Sequence, residues 1–312
     1  MPRPIIIDCD PGIDDCFALM AALASPEDFT IEAICTVAGN VRVETCTQNA
    51  LGLLALTGMT QVPVYAGCAR PLVEAPVFAD HIHGETGLGS VVLPADRPAP
   101  QAEHAVDFLV RRLSDEALPP ATLVITGPST NLAKALAKAP GIAGRIEQIV
   151  MMGGARSAGG NITASAEFNI YADPHAAAAV MACGRPLALV GLDATLQLRC
   201  TPERMVALRA IGNSASQAAA EMIDHVNHIY GEVYGSEGAA LHDPCTIAWL
   251  LRPDLFVSRP ACIEIETGSE LTRGHTAVDL HGLSGKPANA IWVDGLEADS
   301  VFSLLLERIA RL

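Results

Sequence analysis

The sequence predicts an α/β fold, a single domain in which helices flank a mostly parallel central sheet. Short apolar runs alternate with segments whose apolar residues recur at helical spacing, which is typical of parallel strands joined by helices. Half of the 312 residues are hydrophobic, enough for one sizeable core, and no internal repeat or low-complexity linker divides them. The predicted domain therefore spans residues 1–312.

The same patterns predict the individual elements in chain order. The first strand is the apolar run at 5–7, which ends in acidic and turn residues. The other predicted strands are 30–37, 121–126, 146–152, 187–192 and 261–266. The predicted helices are 13–24, 43–57, 103–116, 129–138, 173–182, 214–230 and 295–311. Ligands of such sheets bind beyond the carboxyl ends of the strands, so we expect the active site there.

Two segments depart from this alternation. Residues 67–101 are rich in Gly and Pro and show little periodicity, and long irregular loops of this kind are often functional. A second, helix-rich excursion runs from 201 to 238. We expect both segments to behave as lids over the site.

Composition and charge argue against several classes of protein. A formal net charge of −15 is unlike a nucleic-acid-binding surface, which is usually basic. Apolar segments are short and interrupted, so neither a transmembrane helix nor a membrane partner is expected. The first strand begins close to the N-terminus, so we expect no signal peptide. The nine cysteines show no C-x-x-C pair or zinc spacing, which predicts reduced thiols and a cytoplasmic location.

The turn after the first strand carries an unusual concentration of negative charge. Four carboxylates lie within eight residues: Asp8, Asp10, Asp14 and Asp15. Such crowding is unfavourable unless a positive group offsets it. A hard divalent cation held by oxygen ligands is the simplest such group.

Three other interpretations of this turn can be compared with its residues. An acidic turn that caps the following helix needs Asp14 or Asp15 near the helix N-terminus but no metal. An EF-hand needs an oxygen ligand where Gly12 stands and a carboxylate where the chain has Leu19. A phosphatase of the haloacid dehalogenase type also starts with a strand and Asp-x-Asp, but it requires Thr or Val in place of Gly12. The capping turn alone stays open as an alternative to the metal.

The string DCDPGIDDCFAL at 8–19 resembles the signature of the inosine-uridine preferring nucleoside hydrolase family. Further motifs of that family follow in its order: VAGN at 37–40, HGETGLG at 83–89, TGPSTNLA at 126–133, MMGG at 151–154, NITASAEFNIYADPHAA at 161–177, LHDPC at 241–245 and TRGHTAVD at 272–279. Each motif alone is a weak pattern, but the ordered series spans nearly the whole chain. The resemblance implies an open, Rossmann-like nucleoside hydrolase fold. It also implies calcium-dependent hydrolysis of the N-glycosidic bond of ribonucleosides, through an oxocarbenium-like transition state, to free base and ribose.

The resemblance implies one Ca²⁺ per chain, held by Asp10, Asp15, Asp243 and the backbone carbonyl of Thr126. It also implies that Asp10 is the general base that takes a proton from the attacking water. From the residues alone, Asp243 stands just before Pro244 at a helix start, so it could equally be a helix N-cap.

The same resemblance implies the residues that contact the sugar. Asp14 is expected to bind a ribose hydroxyl, and Met152 to pack near the 5′ end. The remaining sugar contacts are expected from Asn40, Asn161, Glu167, Phe168 and Asn169. From sequence alone, Asn40 could instead be a turn residue and Phe168 a core aromatic.

Two histidines are candidates for helping the base to leave. The resemblance implies that His242 protonates the departing base and that His83 contacts it, although an exposed loop histidine is an alternative for His83. Val226, Tyr230 and Tyr234 are spaced four apart and would share one helix face near the base. This set matches neither a purine nor a pyrimidine pattern, so the sequence does not indicate the preferred base.

Two further function classes are compatible with parts of the sequence. A catalytically silent nucleoside-binding protein on the same scaffold would be expected to lack part of the carboxylate set, which is complete here. A metal-dependent phosphatase would need cationic phosphate contacts, and the acidic motifs contain no Lys or Arg. The expected partner is a small ribonucleoside, and a homo-oligomer, either a dimer or a tetramer, is expected.

Overall fold

Apolar runs of the sequence form a nine-stranded sheet with its strands in the order β3-β2-β1-β4-β5-β6-β9-β7-β8. The computed structural model describes residues 2–235 and 238–312, apart from the side chains of 232–234. The strands are β1 Arg3–Cys9, β2 Phe29–Thr36, β3 Val64–Ala66, β4 Ala121–Ile125, β5 Ile146–Met152, β6 Leu187–Val190, β7 Phe256–Ile265, β8 Thr276–Asp279 and β9 Ala290–Leu296. β1–β6 and β9 run parallel to one another, whereas β7 at one edge pairs antiparallel with both β9 and β8. The predicted mostly parallel α/β sheet is confirmed.

Helices cover both faces of this sheet. They are α1 Ile13–Leu23, α2 Val43–Thr57, α3 Asp80–His83, α4 Ala105–Ser114, α5 Thr130–Lys138, α6 Phe168–Ala172, α7 Pro174–Met181, α8 Leu192–Thr195, α9 Pro202–Ile211, α10 Ser214–Tyr234, α11 Pro244–Leu251 and α12 Ala298–Ile309. Short 3₁₀ turns occupy Pro140–Arg145 and Pro253–Leu255. Within the described ranges, no helix is both long and apolar enough to cross a membrane.

The first strand shows how the core is divided between the two faces. Ile5 and Ile7 pack into one cluster with α1, α2, α10 and α12, while Ile6 packs into the other with α4, α5 and α7. Successive side chains of a strand point to opposite faces, so a strand covered on both sides must be apolar throughout. This explains why the run at 5–7 is continuous rather than alternating.

The order of the strands reverses at β1. From β1 the chain builds β2 and β3 on one side, and it then returns to place β4, β5 and β6 on the other. The loops after β1 and β4 lead to helices on opposite faces, because α1 and α5 belong to different core clusters. Such a switch point opens a crevice at the carboxyl ends of the strands.

Most predicted elements match the structure to within a few residues, and the predicted strand 261–266 is the second half of β7, but β3, β8 and β9 were missed. β9 is a short apolar run that ends in Asp294 and Gly295, and the predicted helix 295–311 overlapped it. The excursion at 67–101 contains a single described helix, α3, and the excursion at 201–238 consists mainly of α9 and α10.

A close contact between Gly191 and Trp292 lets β6 lead into α8. Trp292 lies on β9 and is fully buried, and a Cβ atom built on Gly191 would lie well inside van der Waals contact of its ring. The backbone at the start of α8 therefore passes directly against the ring of Trp292. This approach brings Leu192 and Thr195 of α8 towards the carboxyl ends of the strands.

We expect Gly191→Ala to lower the free energy of unfolding by about 1–3 kcal/mol, the usual effect of overpacking a core. Urea unfolding followed by circular dichroism measures it. Gly144→Ala is the matched control, since a Cβ atom there would meet nothing within 4 Å. The control should stay within about 0.5 kcal/mol of the wild type or be slightly more stable. Equal midpoints for the two variants would contradict the close packing of Gly191 on Trp292.

Candidate active site

The loops that follow β1 and β4 bring acidic side chains together at the switch point. Asp10 follows β1, and Asp14 and Asp15 lie in the first turn of α1. Thr126 follows β4, the strand beside β1. Asp10 and Asp15 are fully buried, whereas Asp14 is half-buried. Four residues predicted to bind metal or sugar thus come from adjacent strand ends.

Polar neighbours hold both buried carboxylates in place. Asp15 accepts hydrogen bonds from the Thr126 hydroxyl at 2.7 Å, the Asn40 amide nitrogen at 3.0 Å and the Gly12 backbone N–H at 3.1 Å. Oδ2 of Asp10 accepts the backbone N–H of Asn40 at 2.6 Å. Oδ1 of Asp10 is buried and has no hydrogen-bond partner among the described residues. A buried oxygen of this kind is expected to bind something that the protein itself does not supply.

Two glycines make room for the Asp10 carboxylate. A Cβ atom on Gly127 would lie 2.6 Å from its Oδ1, and one on Gly39 would overlap its Oδ2. Any larger residue at either position would displace the carboxylate. The VAGN and TGPSTNLA motifs therefore contribute glycines that pack directly on Asp10, a role that the sequence alone did not reveal.

Carboxylate oxygens of Asp14, Asp15 and Asp243 all lie within 4.8 Å of one another, close enough to hold one metal ion. Burial raises the pKa of Asp15 to about 6, and the charge of Asp14 adds to the rise. Burial also raises the pKa of Asp243 and of Asp10 well above the usual range of a carboxyl, and neighbouring carboxylates add to it. An ion at this point would offset that repulsion.

The structure groups these carboxylates differently from the sequence-based prediction. Asp10, Asp15, Asp243 and the Thr126 carbonyl were the predicted ligands, yet Asp14 is the third member of the 4.8 Å cluster. Asp10 lies beside this cluster, close enough for the charge of Asp10 to raise the pKa of Asp243. The Thr126 carbonyl accepts the Asn169 amide at 2.6 Å. Asp10 and the Thr126 carbonyl thus remain predicted ligands, and Asp14 becomes an additional candidate.

Helix capping accounts for only part of this arrangement. The capping-turn alternative is correct in one respect, because Asp15 accepts the backbone N–H of Gly12 at the start of α1. Asp243 precedes Pro244 at the start of α11, but its side chain makes no capping hydrogen bond. The N-cap alternative therefore does not explain the side chain of Asp243, which lies with the carboxylate cluster instead.

A cavity of about 400 Å³ opens at these carboxylates; Asp14 and Asp243 line it, whereas the fully buried Asp10 and Asp15 are not among its lining residues. Every substrate-contacting residue predicted from the sequence lines it, as do His242, Asp243 and Thr126. Both excursions contribute to its walls, the first through Ala79, His81 and Ile82 and the second through α10. A cavity of this size suits a small organic ligand.

The NITASAEFN segment forms the wall beside the Thr126 loop. The amide nitrogen of Asn169 donates to the Thr126 carbonyl and approaches both the carbonyl and the sulfur of Met152. The carboxylate of Glu167 accepts the backbone N–H groups of Gly154, Asn169 and Ile170. Glu167 thereby caps α6, and burial raises its pKa to about 7.

The remaining two sugar candidates lie on the same segment. The side-chain oxygen of Asn161 accepts the backbone N–H of Phe168 at 2.9 Å. The ring of Phe168 packs with Ala79 of the first excursion and with Ala172. Phe168 is therefore both a core aromatic, as its alternative interpretation held, and part of the cavity wall.

Two histidines line the cavity, His83 from the first excursion and His242 from the LHDPC motif that follows the second. Nδ1 of His83 accepts the backbone N–H of Ile13 at 3.2 Å, so we assign its proton to Nε2. His83 is buried rather than exposed, which rules out the exposed-loop alternative. Nδ1 of His242 lies 2.7 Å from the Thr195 hydroxyl. Burial lowers the pKa of both histidines.

Sequence reasoning missed the contribution of α8 and the residues after it. Thr195 orients His242, and Leu196 and Arg199 line the cavity. Their proximity to LHDPC comes from an antiparallel bridge between Arg199 and Ala240, which no short-range pattern indicates. On α10, Val226 and Tyr230 line the cavity as expected, while the side chain of Tyr234 lies outside the described residues.

Comparisons with known proteins identify the family to which this chain belongs. Residues 5–303 match the sequence profile of the family described as inosine-uridine preferring nucleoside hydrolase. A pyrimidine-specific ribonucleoside hydrolase RihA from Shewanella sp. (strain ANA-3) is 45% identical over 99% of this chain and 97% of its own. A purine-preferring ribonucleoside hydrolase from Gardnerella vaginalis is 32% identical, with a TM-score of 0.91 over 99% and 98% of the two chains. The plant nucleoside hydrolase PpNRh1 is 31% identical, with a TM-score of 0.92 over 99% of each. The chain thus belongs to the inosine-uridine preferring nucleoside hydrolase family, and it is an enzyme that hydrolyses ribonucleosides.

Proposed function

We propose that this enzyme uses a bound Ca²⁺ to hydrolyse ribonucleosides to free base and ribose in the cavity above Asp10. The observation that carries the proposal is the Asp10 carboxylate. One of its oxygens is held by Asn40, and the other is buried without a hydrogen-bond partner in the described part of the chain. A carboxylate fixed in this way can accept a proton from a water placed against its free oxygen.

The donor set fits a hard divalent cation. Asp14, Asp15 and Asp243 offer carboxylate oxygens, with Asp10 and the Thr126 carbonyl beside them. Ca²⁺ takes six to eight oxygen ligands in a flexible geometry, which suits carboxylates from two segments of the chain and a carbonyl from a third. When bound, the ion lowers the pKa of a coordinated water and orients it.

The side chains around the cavity suggest how the reaction proceeds. Asp10 accepts a proton from water, and the oxygen of that water adds to C1′ of the ribose. The electron pair of the C1′–N bond leaves with the base, which acquires a proton, so that the transition state resembles an oxocarbenium ion. Asp14, Asn161 and Asn169 are proposed to bind the sugar hydroxyls.

The remaining groups contact the two ends of the nucleoside. The ring of Phe168 would lie near the developing positive charge on the sugar. His242 is proposed to protonate the departing base or hydrogen-bond to it, and His83 to contact the base through Nε2. The excursions at 67–101 and 201–238 are proposed to be lids, since both line the cavity.

Relatives of this chain suggest which base to test first. Several curated relatives at 44–45% identity are named pyrimidine-specific, whereas the structural neighbour named purine-preferring is 32% identical. We therefore propose uridine and cytidine as the first substrates to assay. A cytoplasmic location, which the cysteine pattern indicates, and a dimer or tetramer stay predictions.

We expect the purified enzyme to release ribose from ribonucleosides, and to act on 2′-deoxynucleosides more slowly by a factor on the order of 10⁴. The reason is that polar groups built to bind the 2′-hydroxyl are left unpaired by a deoxy sugar. A reducing-sugar assay on uridine, cytidine, inosine, adenosine and their deoxy counterparts measures this.

Asp10→Ala tests the proposed general base in the same assay. If Asp10 is that base, the rate of ribose release should fall about 10²–10⁴-fold. Asp107→Ala, on the exposed side of α4, is the matched control and should keep wild-type activity. Nucleoside binding without turnover in the wild type would favour the silent binding protein. Equal rates on uridine and 2′-deoxyuridine would contradict the proposed sugar contacts.

Removal of one carboxylate should stabilise the protein in the absence of Ca²⁺ and should reduce the stability that the protein gains when Ca²⁺ is added. In chelator, Asp243→Asn removes a buried repelling charge, so we expect Tm to rise by roughly 2 °C or more. The wild type should gain stability when Ca²⁺ is added, and the variant should lose most of that gain. Differential scanning calorimetry measures both effects.

The exposed Asp254→Asn substitution is the control, because Asp254 lies just beyond the other end of α11 and pairs with Arg252 on the surface. It should leave the Ca²⁺-induced rise in Tm intact. An Asp243→Asn enzyme that gains as much stability from Ca²⁺ as the wild type would show that Asp243 is not a ligand.

His242→Ala should slow natural nucleosides far more than p-nitrophenyl riboside. Nitrophenolate leaves without a proton, whereas a base anion is harder to release, and general acid help is typically worth about 10²–10⁴-fold. Steady-state kinetics on both substrates, with Ca²⁺ content measured on the same sample, tests this. Equal slowing of both substrates with the metal retained would make His242 a positioning residue.

A further inference from the structure

Arg199 is a cation in the wall of the cavity that the proposed mechanism does not use. Among the described residues that line the cavity, it is the single lysine or arginine. Apolar side chains, among them Leu196, Ile223 and Val226, line the same cavity. A guanidinium in such surroundings is unfavourable unless its N–H groups meet acceptors.

The backbone of Arg199 is held firmly. It pairs with Ala240 in an antiparallel bridge, flanked by the hydrogen bonds from Leu241 N to Leu198 O at 2.9 Å and from Cys200 N to Ala239 O at 2.8 Å. Its carbonyl accepts the Arg204 guanidinium at 2.7 Å. The backbone of Arg199, from which its side chain extends, is therefore held opposite Ala240, two residues before His242.

The guanidinium itself has few protein partners. Its one hydrogen bond within the described chain runs from Nη1 to the carbonyl of Gly238 at 3.4 Å, near the limit of such a bond. No carboxylate among the described residues lies within 4.0 Å of it. Arginine carries five N–H donors in a planar fork, and most of those of Arg199 have no acceptor among the residues that the structure describes.

The location of Arg199 indicates which part of the ligand it would meet. On the proposed function, the sugar lies over Asp14 and Asn169, and the base extends towards His242. Arg199 lines the same cavity as His242, its backbone is paired with Ala240 two residues before that histidine, and it forms no ion pair with a carboxylate of the described residues. The edge of the base farthest from the glycosidic bond would thus face Arg199.

We propose that Arg199 recognises the base by donating hydrogen bonds to an oxo group on that far edge. An N–H donor favours the 4-oxo group of uracil or the 6-oxo group of hypoxanthine, and it disfavours the 4-amino group of cytosine or the 6-amino group of adenine. Negative charge that builds on the base as the C–N bond breaks spreads onto that oxo group, so Arg199 stabilises the transition state as well. The inference rests on the proposed function.

The experiment compares paired substrates that differ only at that edge: uridine with cytidine, and inosine with adenosine. Arg199→Met removes the charge and the donors but keeps the length of the side chain. Arg199→Lys keeps the charge and loses the planar fork. Arg209→Met is the matched control, because Arg209 is an exposed arginine on α9 that pairs with Asp224 and does not line the cavity.

We expect the wild type to prefer the oxo member of each pair that it hydrolyses. The ratio of kcat/KM for uridine over cytidine should fall about tenfold or more in Arg199→Met, fall less in Arg199→Lys, and stay unchanged in Arg209→Met. Thermal unfolding of each variant reports whether the fold is intact. If Arg199→Met loses all turnover, calorimetric binding of uracil and cytosine gives the same comparison without catalysis.

Two results would overturn the assignment of Arg199. One is a wild type that hydrolyses cytidine as well as uridine, and the other is a uridine-to-cytidine ratio in Arg199→Met within about twofold of the wild type. Equal losses on both substrates would make Arg199 a structural or positioning residue. A wild type that hydrolyses no nucleoside would instead refute the proposed function, so the two failures are distinguishable.

Discussion

The hydrogen bonds from Asn40 and Thr126 to Asp10 and Asp15 hold like charges together where the sheet reverses its strand order. This arrangement opposes folding, because burial and mutual repulsion both raise the pKa of the carboxyl groups. The surrounding structure overcomes that opposition with buried apolar layers on both faces of β1. Sites prepared for a cation are commonly unfavourable without it, and stability is then traded for function.

A second buried network connects this acidic loop to the first excursion. The amide nitrogen of Asn131 donates to the carboxylate of Asp8 at 2.7 Å and to the carbonyl of Thr36 at 3.0 Å, and its oxygen accepts the backbone N–H of Cys68 at 2.8 Å. Gly67 passes so close that a Cβ atom there would overlap this amide. One side chain thus joins the ends of β1 and β2 to the start of the excursion, which fixes where that segment leaves the sheet.

How far the sequence could predict the structure depended on the range of the interactions. β1 could be predicted from the sequence because a strand buried on both faces must be apolar at every position. The proximity of Asp10 and Asp15 could be predicted because both lie in one short turn of the sequence. β9 could not be predicted, because its apolar run is brief and it is buried by strands that lie elsewhere in the chain.

The same limit applies within the candidate site. Thr195 meets His242 only because Arg199 pairs with Ala240 in the tertiary structure. Likewise, spacing could not reveal that Asp14, rather than Asp10, lies within 4.8 Å of both Asp15 and Asp243. Which of neighbouring carboxylates points into a cluster is decided by side-chain packing, and the glycines at 39 and 127 that determine it lie in other loops.

The two ends of the cavity are built from different kinds of structure, and this division has a chemical consequence. Rigid strand ends supply the acceptor-rich end, where carboxylates suit a cation and sugar hydroxyls. The excursions and the segment after α8 supply the other end, where His83 must donate through Nε2 because its Nδ1 is occupied by Ile13. Arg199 can only donate as well. An end furnished with donors stabilises a base that carries acceptors and gains negative charge as it leaves. Because these donors lie outside the sheet, substitutions there can alter base preference without disturbing the strand ends that carry the acidic residues.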